Sequence, residues 1–267
     1  MPALNGIRRN PAAVVAAGAA VGLLGGLIGL GGAELRLPLL IGLFGFTALE
    51  AVILNKATSL VVVTAALPFR AGAVPLDLVL SHWPIILNLL AGSLAGAWIG
   101  AGLAVGMRSR TLYRVLAGLL IVIATVLALG HSAAPSATAL LPGWMQVPAG
   151  LVAGFGIGIV ASLMGVAGGE LLIPTLVILF GIDLKLAGSL SLAISLPTML
   201  VGFARYSLDD SFSVLSRNRG FVLLMAAGSV LGAAAGGQLL GIVPESVLLP
   251  ALVAILLVSS VKVWRHG

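Results

Sequence analysis

The chain contains no cysteine, which excludes disulfides and cysteine-held metal or iron–sulfur centres. Charge is almost as scarce. Asp, Glu, Lys and Arg make up 8% of its 267 residues, against about 25% in an ordinary soluble domain. His82, His131 and His266 are far apart and fall at loops or the tail, so no metal site is expected from them. The glycine-rich stretches are not followed by Lys-Ser or Lys-Thr, as a phosphate-binding loop requires. No Ser–His–Asp arrangement for acyl transfer stands out.

What is present is apolar. Hydrophobic residues account for 60%, glycine adds 36 residues, and the mean hydropathy is +1.21. A soluble protein has too much surface to hide that side-chain content. This excludes a soluble enzyme, a nucleic-acid binder and a disordered chain. The net charge of +6 and pI near 10.8 come from 14 basic and 8 acidic residues set mostly at the edges of apolar runs. That placement fits lysines and arginines held on the cytoplasmic side of a membrane.

The apolar stretches of the first half are 12–30, 35–46, 51–69, 84–105 and 112–130. Those of the second half are 148–166, 171–182, 187–204, 220–241 and 247–264. A full crossing needs about 20 residues. Segments 35–46 and 171–182 are short of that and predict broken or shortened helices. The run after Arg8 and Arg9 is not read as a leader, because further spans follow it at once. The expected organisation is a cytoplasmic N-terminus (1–11), a first transmembrane repeat (12–130), an uncharged linker (131–147), a second repeat (148–264) and a cytoplasmic tail (265–267).

Sliding the chain by 136 residues aligns the halves without a gap. Gly29, Gly32, Glu34, Leu35 and Pro38 fall on Gly165, Gly168, Glu170, Leu171 and Pro174. Further on, Gly45, Ala57 and Ser59 fall on Gly181, Ala193 and Ser195, and Gly92-Ser93 falls on Gly228-Ser229. Two apolar helices share leucines by chance, but seldom a glutamate, a proline and a glycine ladder at one offset. The fold expected is therefore an all-α polytopic membrane protein of 8–10 segments in two homologous helical repeats. Ten crossings put Arg108, Arg110, Arg114, the 205–219 loop, Lys262 and Arg265 on the side of the N-terminus, as the positive-inside rule asks. Eight crossings would put the N-terminus and the Arg108 loop on opposite sides. An odd number per half inverts the repeats, as in many secondary transporters.

The strongest local signals are Gly29-Leu30-Gly31-Gly32-Ala33-Glu34-Leu35-Arg36-Leu37-Pro38 and Gly165-Val166-Ala167-Gly168-Gly169-Glu170-Leu171-Leu172-Ile173-Pro174. Glycine permits a chain break, and proline fits the first turn of a new helix. A helix, a non-helical hinge and a shortened helix are predicted at each. Such backbone is tolerated at membrane depth only where it lines a cavity or is buried in protein. The freed amides of Gly32, Ala33, Gly168 and Gly169 would suit an anion.

Glu34 and Glu170 are costly inside a bilayer and so are informative. Three roles stand open for them: carrying a proton, capping the hinge amides, and touching the substrate or a cation. Arg36 and Lys56 have no counterparts, since 172 and 192 are leucines. Arg36 would pair with Glu34 or with a substrate oxygen. Lys56 would touch substrate or snorkel to the interface. Asn55 and Ser59 share a helix face, as do Ser191 and Ser195. They would offer donors to an oxyanion or act as packing glue. Gly92, Gly96, Gly100 and their counterparts Gly228, Gly232 and Gly236 form smooth strips for close helix packing, as do Gly18, Gly22, Gly154 and Gly158. Trp83, Trp144 and Trp264 fall at span ends, as interfacial anchors do.

With these elements the chain resembles the sulfite exporter TauE/SafE family of bacterial and archaeal membrane permeases. The resemblance runs from about Ala12 to Trp264. It rests on the Gly-rich element entering Leu37-Pro38, its copy entering Ile173-Pro174, and the helix with Ser195. The family's glycines and prolines map onto Gly29, Gly32, Pro38, Gly165, Gly168, Gly169 and Pro174, while Ala33 and Ala167 stand where glycine is more usual. The resemblance implies transport of sulfite or another sulfur-containing anion, such as thiosulfate or an organosulfonate. The expectation is then a secondary transporter working by alternating access, with Glu34 and Glu170 as proton-coupling residues. An anion channel and a membrane scaffold or intramembrane enzyme are the alternatives. No cofactor, metal, catalytic residue or nucleic acid is expected. Partners are the anion, protons, membrane lipids and, as a candidate, a second copy of the chain. The expected location is the inner membrane, with both termini cytoplasmic.

Overall fold

A chain this apolar must satisfy its peptide groups without water, which leaves helices or a closed barrel. In the computed structural model the described residues are 10–28, 32–130, 141–238 and 245–266, and they form helices without a strand. In order these are α1 (Pro11–Ile28), α2 (Ala33–Gly42), α3 (Ala48–Ala73), α4 (Leu76–Ser81), α5 (Trp83–Gly106) and α6 (Ser109–Gly130). The second half gives α7 (Gly143–Met164), α8 (Gly169–Phe180), α9 (Leu184–Tyr206), a 3-10 turn (Asp210–Phe212), α10 (Ser213–Arg217), α11 (Arg219–Gln238) and α12 (Glu245–His266). Among the described residues six helices are long and apolar enough to cross a membrane: α3, α5, α6, α7, α9 and α11. The chain is an all-α polytopic membrane protein. Residues 29–31 of the first hinge, Arg8 and Arg9, and positions 131–140 of the linker lie outside the described residues. The last part of that linker is helical, because α7 already begins at Gly143 behind Pro142.

The offset of 136 recurs in the helix starts. Residues 33, 48, 83 and 109 open helices, and so do 169, 184, 219 and 245. Left-handed glycines recur with it: Gly32 and Gly168 at φ +69° and +80°, Gly45 and Gly181 at φ +63° and +67°. α2 has 10 residues and α8 has 12. At 1.5 Å per residue they reach about 15 and 18 Å, roughly half of a 30 Å hydrocarbon core.

Glycine contacts fix how the helices run. Gly18, Gly22 and Gly26 of α1 abut the backbone of Met225, Ser229 and Ala233 of α11. Gly228, Gly232 and Gly236 return the contact to Val15, Ala19 and Leu23. Both numberings rise together, so α1 and α11 are parallel. Gly92, Gly96 and Gly100 of α5 meet Leu151, Phe155 and Ile159 of α7 in the same way. The first helix of each half thus packs on the long helix α11 or α5 of the other. The strips read from sequence as packing surfaces are indeed where backbones touch.

Two further pairs separate ten segments from eight. Ser93 of α5 bonds Thr198 of α9 at 2.7 Å, and Trp98 lies under the Arg205 guanidinium at 5.9 Å, so α5 and α9 are parallel. Ser260 donates to the Ala117 carbonyl at 2.8 Å, and Arg114 lies 5.6 Å from the Trp264 ring, so α6 and α12 are antiparallel. Eight alternating passes would reverse both relations. Counting α2 and α8 as reversals satisfies them. Phe44 and Phe46 stack edge-on against Phe221, and Gly42 abuts Lys262, so the end of α2 shares an end of the bundle with the start of α11 and the end of α12. Arg108, Arg110, Arg114, Arg205, Arg217, Arg219, Lys262 and Arg265 all belong to this arginine-rich end by position along their helices. At the opposite end Asn88 donates to the Val147 carbonyl at 3.1 Å, and Asp183 caps α9 by accepting from Lys185 N at 2.9 Å.

Because the chain has no cysteine, single cysteines report sidedness directly. Ser207 and Asp77 are exposed at opposite ends of the bundle. An impermeant maleimide is expected to label Ser207→Cys from one face of sealed vesicles and Asp77→Cys from the other. Labelling of both from the same face would overturn the arrangement.

Candidate functional site

Each short helix starts in the protein interior because a left-handed glycine turns the chain back. A Cβ on Gly32 would run into the Val21 carbonyl, so α2 begins beside the middle of α1. In the second half Gly165, at φ +68°, ends α7, with Gly165 N–H donating to Ser162 O at 3.2 Å and Val166 N–H to Ala161 O at 3.0 Å. Gly168 then returns the chain to Ile157 and Ala161. Its carbonyl accepts from Leu171 and Leu172, as that of Gly32 accepts from Leu35 and Arg36. Glu34 and Glu170 are therefore second residues of their helices.

Pro38 and Pro174 do not open these helices, contrary to the sequence expectation. Each is the sixth residue, because the left-handed glycine already sets the start. A proline there removes the amide that would bond the carbonyl four residues back, which is that of Glu34 or Glu170.

The two N-termini meet. The Glu34 and Glu170 carboxyls lie within side-chain hydrogen-bonding reach of each other. Both residues are buried. Among the described residues Glu34 Oε1 and both Glu170 oxygens have no donor. Two carboxylates are both acceptors, so only a proton held between them makes this contact a hydrogen bond. Gly32 and Gly168, the N-cap residues, have no side chain with which to cap their own helices. Each helix presents the positive end of its dipole to the centre. Among the described residues a Cβ on Gly169 would meet nothing within 4 Å, so none of them fills the space beside the first residue of α8.

Arg36 is fully buried, at 0% exposure. Its Nη1 donates to Asn55 Oδ1 at 3.2 Å and Ser59 Oγ at 3.0 Å, and its Nη2 to Ser229 Oγ at 3.3 Å. Its Nε finds no partner among the described residues. Arg36 thus turns to three neutral side chains rather than to Glu34. Asn55 joins the two hinges. Its Nδ2 donates to the carbonyl of Ala33 at 3.0 Å and to that of Met164 at 3.1 Å. With Oδ1 taken by Arg36, its amide is engaged on every side.

Lys56 does not snorkel. It is wholly buried, with Nζ 3.3 Å from Ser162 Oγ. Ser191 donates to the Gly188 carbonyl of its own helix at 2.9 Å, and Ser195 is buried one turn further on. The structure brings Gly32, Ala33, Glu34, Arg36, Asn55 and Ser59 together around the first hinge. Gly168, Gly169 and Glu170 form the second hinge, and Ser191 and Ser195 lie on α9, the helix after α8. The sequence reading missed Ser229, Ser162, Ser93, Thr198 and Tyr206. Ser229 and Ser93 did leave a signal, since each is a serine set into a glycine ladder at the repeat offset.

A family model described as Sulfite exporter TauE/SafE matches residues 14–263. The chain belongs to the TauE/SafE sulfite exporter family. This is a transporter family, and with the six long apolar helices it makes the chain an integral membrane transport protein. Comparison with curated proteins and with solved structures gave no match.

Proposed function

We propose that the chain is a secondary transporter that moves a small sulfur oxyanion, sulfite first among them, through the centre where α2 and α8 meet. The observation that carries this is the convergence of two helix N-termini beside a buried arginine whose Nε has no partner among the described residues. Amides and guanidinium in a dry interior favour an oxyanion far more than they would in water. Alternating access is supported by α6 and α12, which stand at equivalent places in the two halves and run antiparallel, as inverted repeats do. The arginine-rich end faces the cytoplasm by the positive-inside rule, with both termini on that side.

Glu34 and Glu170 supply the proton coupling. Facing carboxyls bring two negative charges into one dry spot unless a proton lies between them. An anion entering beside them is repelled by the doubly ionised pair and accepted by the protonated one, so anion and proton travel together. Proteoliposomes loaded with or without a pH gradient test this with [35S]sulfite. The gradient is expected to accelerate wild-type uptake, and Glu170→Gln to reduce the gradient-driven part at least about tenfold while leaving exchange at zero gradient. Uptake indifferent to the gradient removes the proton role. Stepwise single-channel currents would assign a pore in place of a carrier.

A further inference from the structure

We infer that Asn55 is a positioning residue that ties the two hinges to each other and to Arg36, so that neither hinge moves alone, and that it does this without touching the anion. The inference rests on the transport reading above. It adds the part that keeps the two ends of the path from opening together.

Asn55 lies on α3 at 0% exposure. Its carboxamide has two N–H donors and an acceptor oxygen. Nδ2 donates to the carbonyl of Ala33, the first residue of α2, at 3.0 Å. It also donates to the carbonyl of Met164, the last residue of α7, at 3.1 Å. Oδ1 accepts from Arg36 Nη1 at 3.2 Å. Both hydrogens are thus committed to backbone, and none remains for an oxyanion.

The second hinge is seated on the same helix. Gly165 follows Met164 and turns the chain at φ +68°. A Cβ there would run into the Val52 carbonyl, about one turn before Asn55 on α3. The Met164 carbonyl stands in the last turn of α7, where the helix itself supplies no amide for it. Swinging either hinge away from α3 breaks one of the two bonds. A buried donor and a buried carbonyl are then left unmet, which costs more than the bond contributed. Movement of both hinges together with α3 keeps both bonds. The link to Arg36 brings the anion into this joint, because an anion drawn to Nε pulls on the guanidinium that Asn55 holds.

The joint is made from one half only. The counterpart of Asn55 is Ser191. Its hydroxyl donates to the Gly188 carbonyl of its own helix at 2.9 Å. A hydroxyl has one hydrogen and cannot bridge two carbonyls. Among the described residues Asn55 is the side chain that hydrogen-bonds both hinges.

The competing role for Asn55 is that of a direct ligand of the anion. Counterflow separates the two. Proteoliposomes filled with unlabelled sulfite and diluted into a trace of radiolabelled sulfite overshoot when the path opens at one end at a time, and do not when both ends open at once. This readout needs no pH gradient, so it is independent of the proton role. Asn55→Ser, which installs what position 191 carries, is expected to lower the overshoot at least about fivefold more than it lowers initial downhill uptake, a coupling of ordinary size. The KM for sulfite should stay within about twofold of wild type, since no contact to the anion is lost. Adding Ser191→Asn, which offers a carboxamide at the counterpart position, should restore part of the overshoot. A raised KM with the overshoot kept would overturn the inference and make Asn55 a ligand. Equal losses of uptake and overshoot, or no change in either, would overturn it as well. If Asn55→Ser does not fold, Asn55→Thr, closer to asparagine in volume and still with one donor, decides alone. Wild-type protein that moves sulfite without any overshoot would strike the carrier reading itself.

Discussion

Arg36→Leu is expected to abolish anion flux while leaving the fold as stable as before or more so. Leucine is what the counterpart position 172 carries, so the repeat already accommodates it. Arg36 makes three side-chain hydrogen bonds, to Asn55, Ser59 and Ser229, and has 0% exposure. Replacing a buried charge by an apolar side chain of similar bulk is often neutral or stabilising. The anion, by contrast, loses a buried charge carried on the first turn of α2, beside the meeting point of the two helix N-termini. A loss of at least about a hundredfold in kcat/KM is expected, from charge-assisted hydrogen bonds worth roughly 1.5–3 kcal/mol each. Arg36→Lys keeps the charge but not the fork, and should recover only part of the flux. Thermal unfolding in detergent measured beside liposome flux checks both halves of the claim. A collapsed melting temperature together with lost flux would make Arg36 a structural post.

The second large effect falls on stability. Gly96→Ala places a methyl group against the Phe155 carbonyl, and Gly232→Ala places one against that of Ala19. In both cases the obstacle is backbone of another helix, which cannot rotate aside. The helices must separate along their whole contact, since Gly92, Gly96 and Gly100 act as one strip. Overpacking costs about 1–3 kcal/mol per site and more where backbone must move. The apparent melting temperature should fall by about 5–10 °C for either variant, at roughly 2–4 °C per kcal/mol for a chain of this size. Gly156→Ala is the control. It lies on α7, in the same helix pair, and its Cβ would meet nothing within 4 Å. Alanine favours helix over glycine, so this variant should match or slightly exceed wild type. Equal losses at Gly96 and Gly156 would show that close approach is not what the ladder provides.

The hinges show how far local pattern carries. Gly32 and Gly168 were readable because only a small set of residues adopts left-handed backbone cheaply, and they recur at one offset. The glycine ladders were readable because a spacing of four marks one helix face. The position of Pro38 was misread for a related reason. The same residue type that favours a first turn is tolerated further in when a glycine has already set the helix start. Of the two readings open for Lys56, burial sets aside the interfacial one, and its neighbours in sequence could not do so because they do not reveal the partner. Ser162 is 106 residues away. Asn55 was readable as a polar residue of the centre, but not as a link between two hinges, since Met164, which it reaches at the second, lies 109 residues further along the chain.

The sequence by itself determined the solvent, the helical class, the division into halves and the places where helices break. Each of these follows from composition or from spacing within a few turns. The tertiary structure alone decided that α1 lies along α11, that Glu34 faces Glu170, and that Ser229, 193 residues from Arg36, holds its guanidinium. The reason is that two similar halves offer the same local pattern twice. Local pattern cannot say whether an element pairs within its own half or with the other, and only backbone-to-backbone fit at the glycine strips distinguishes them.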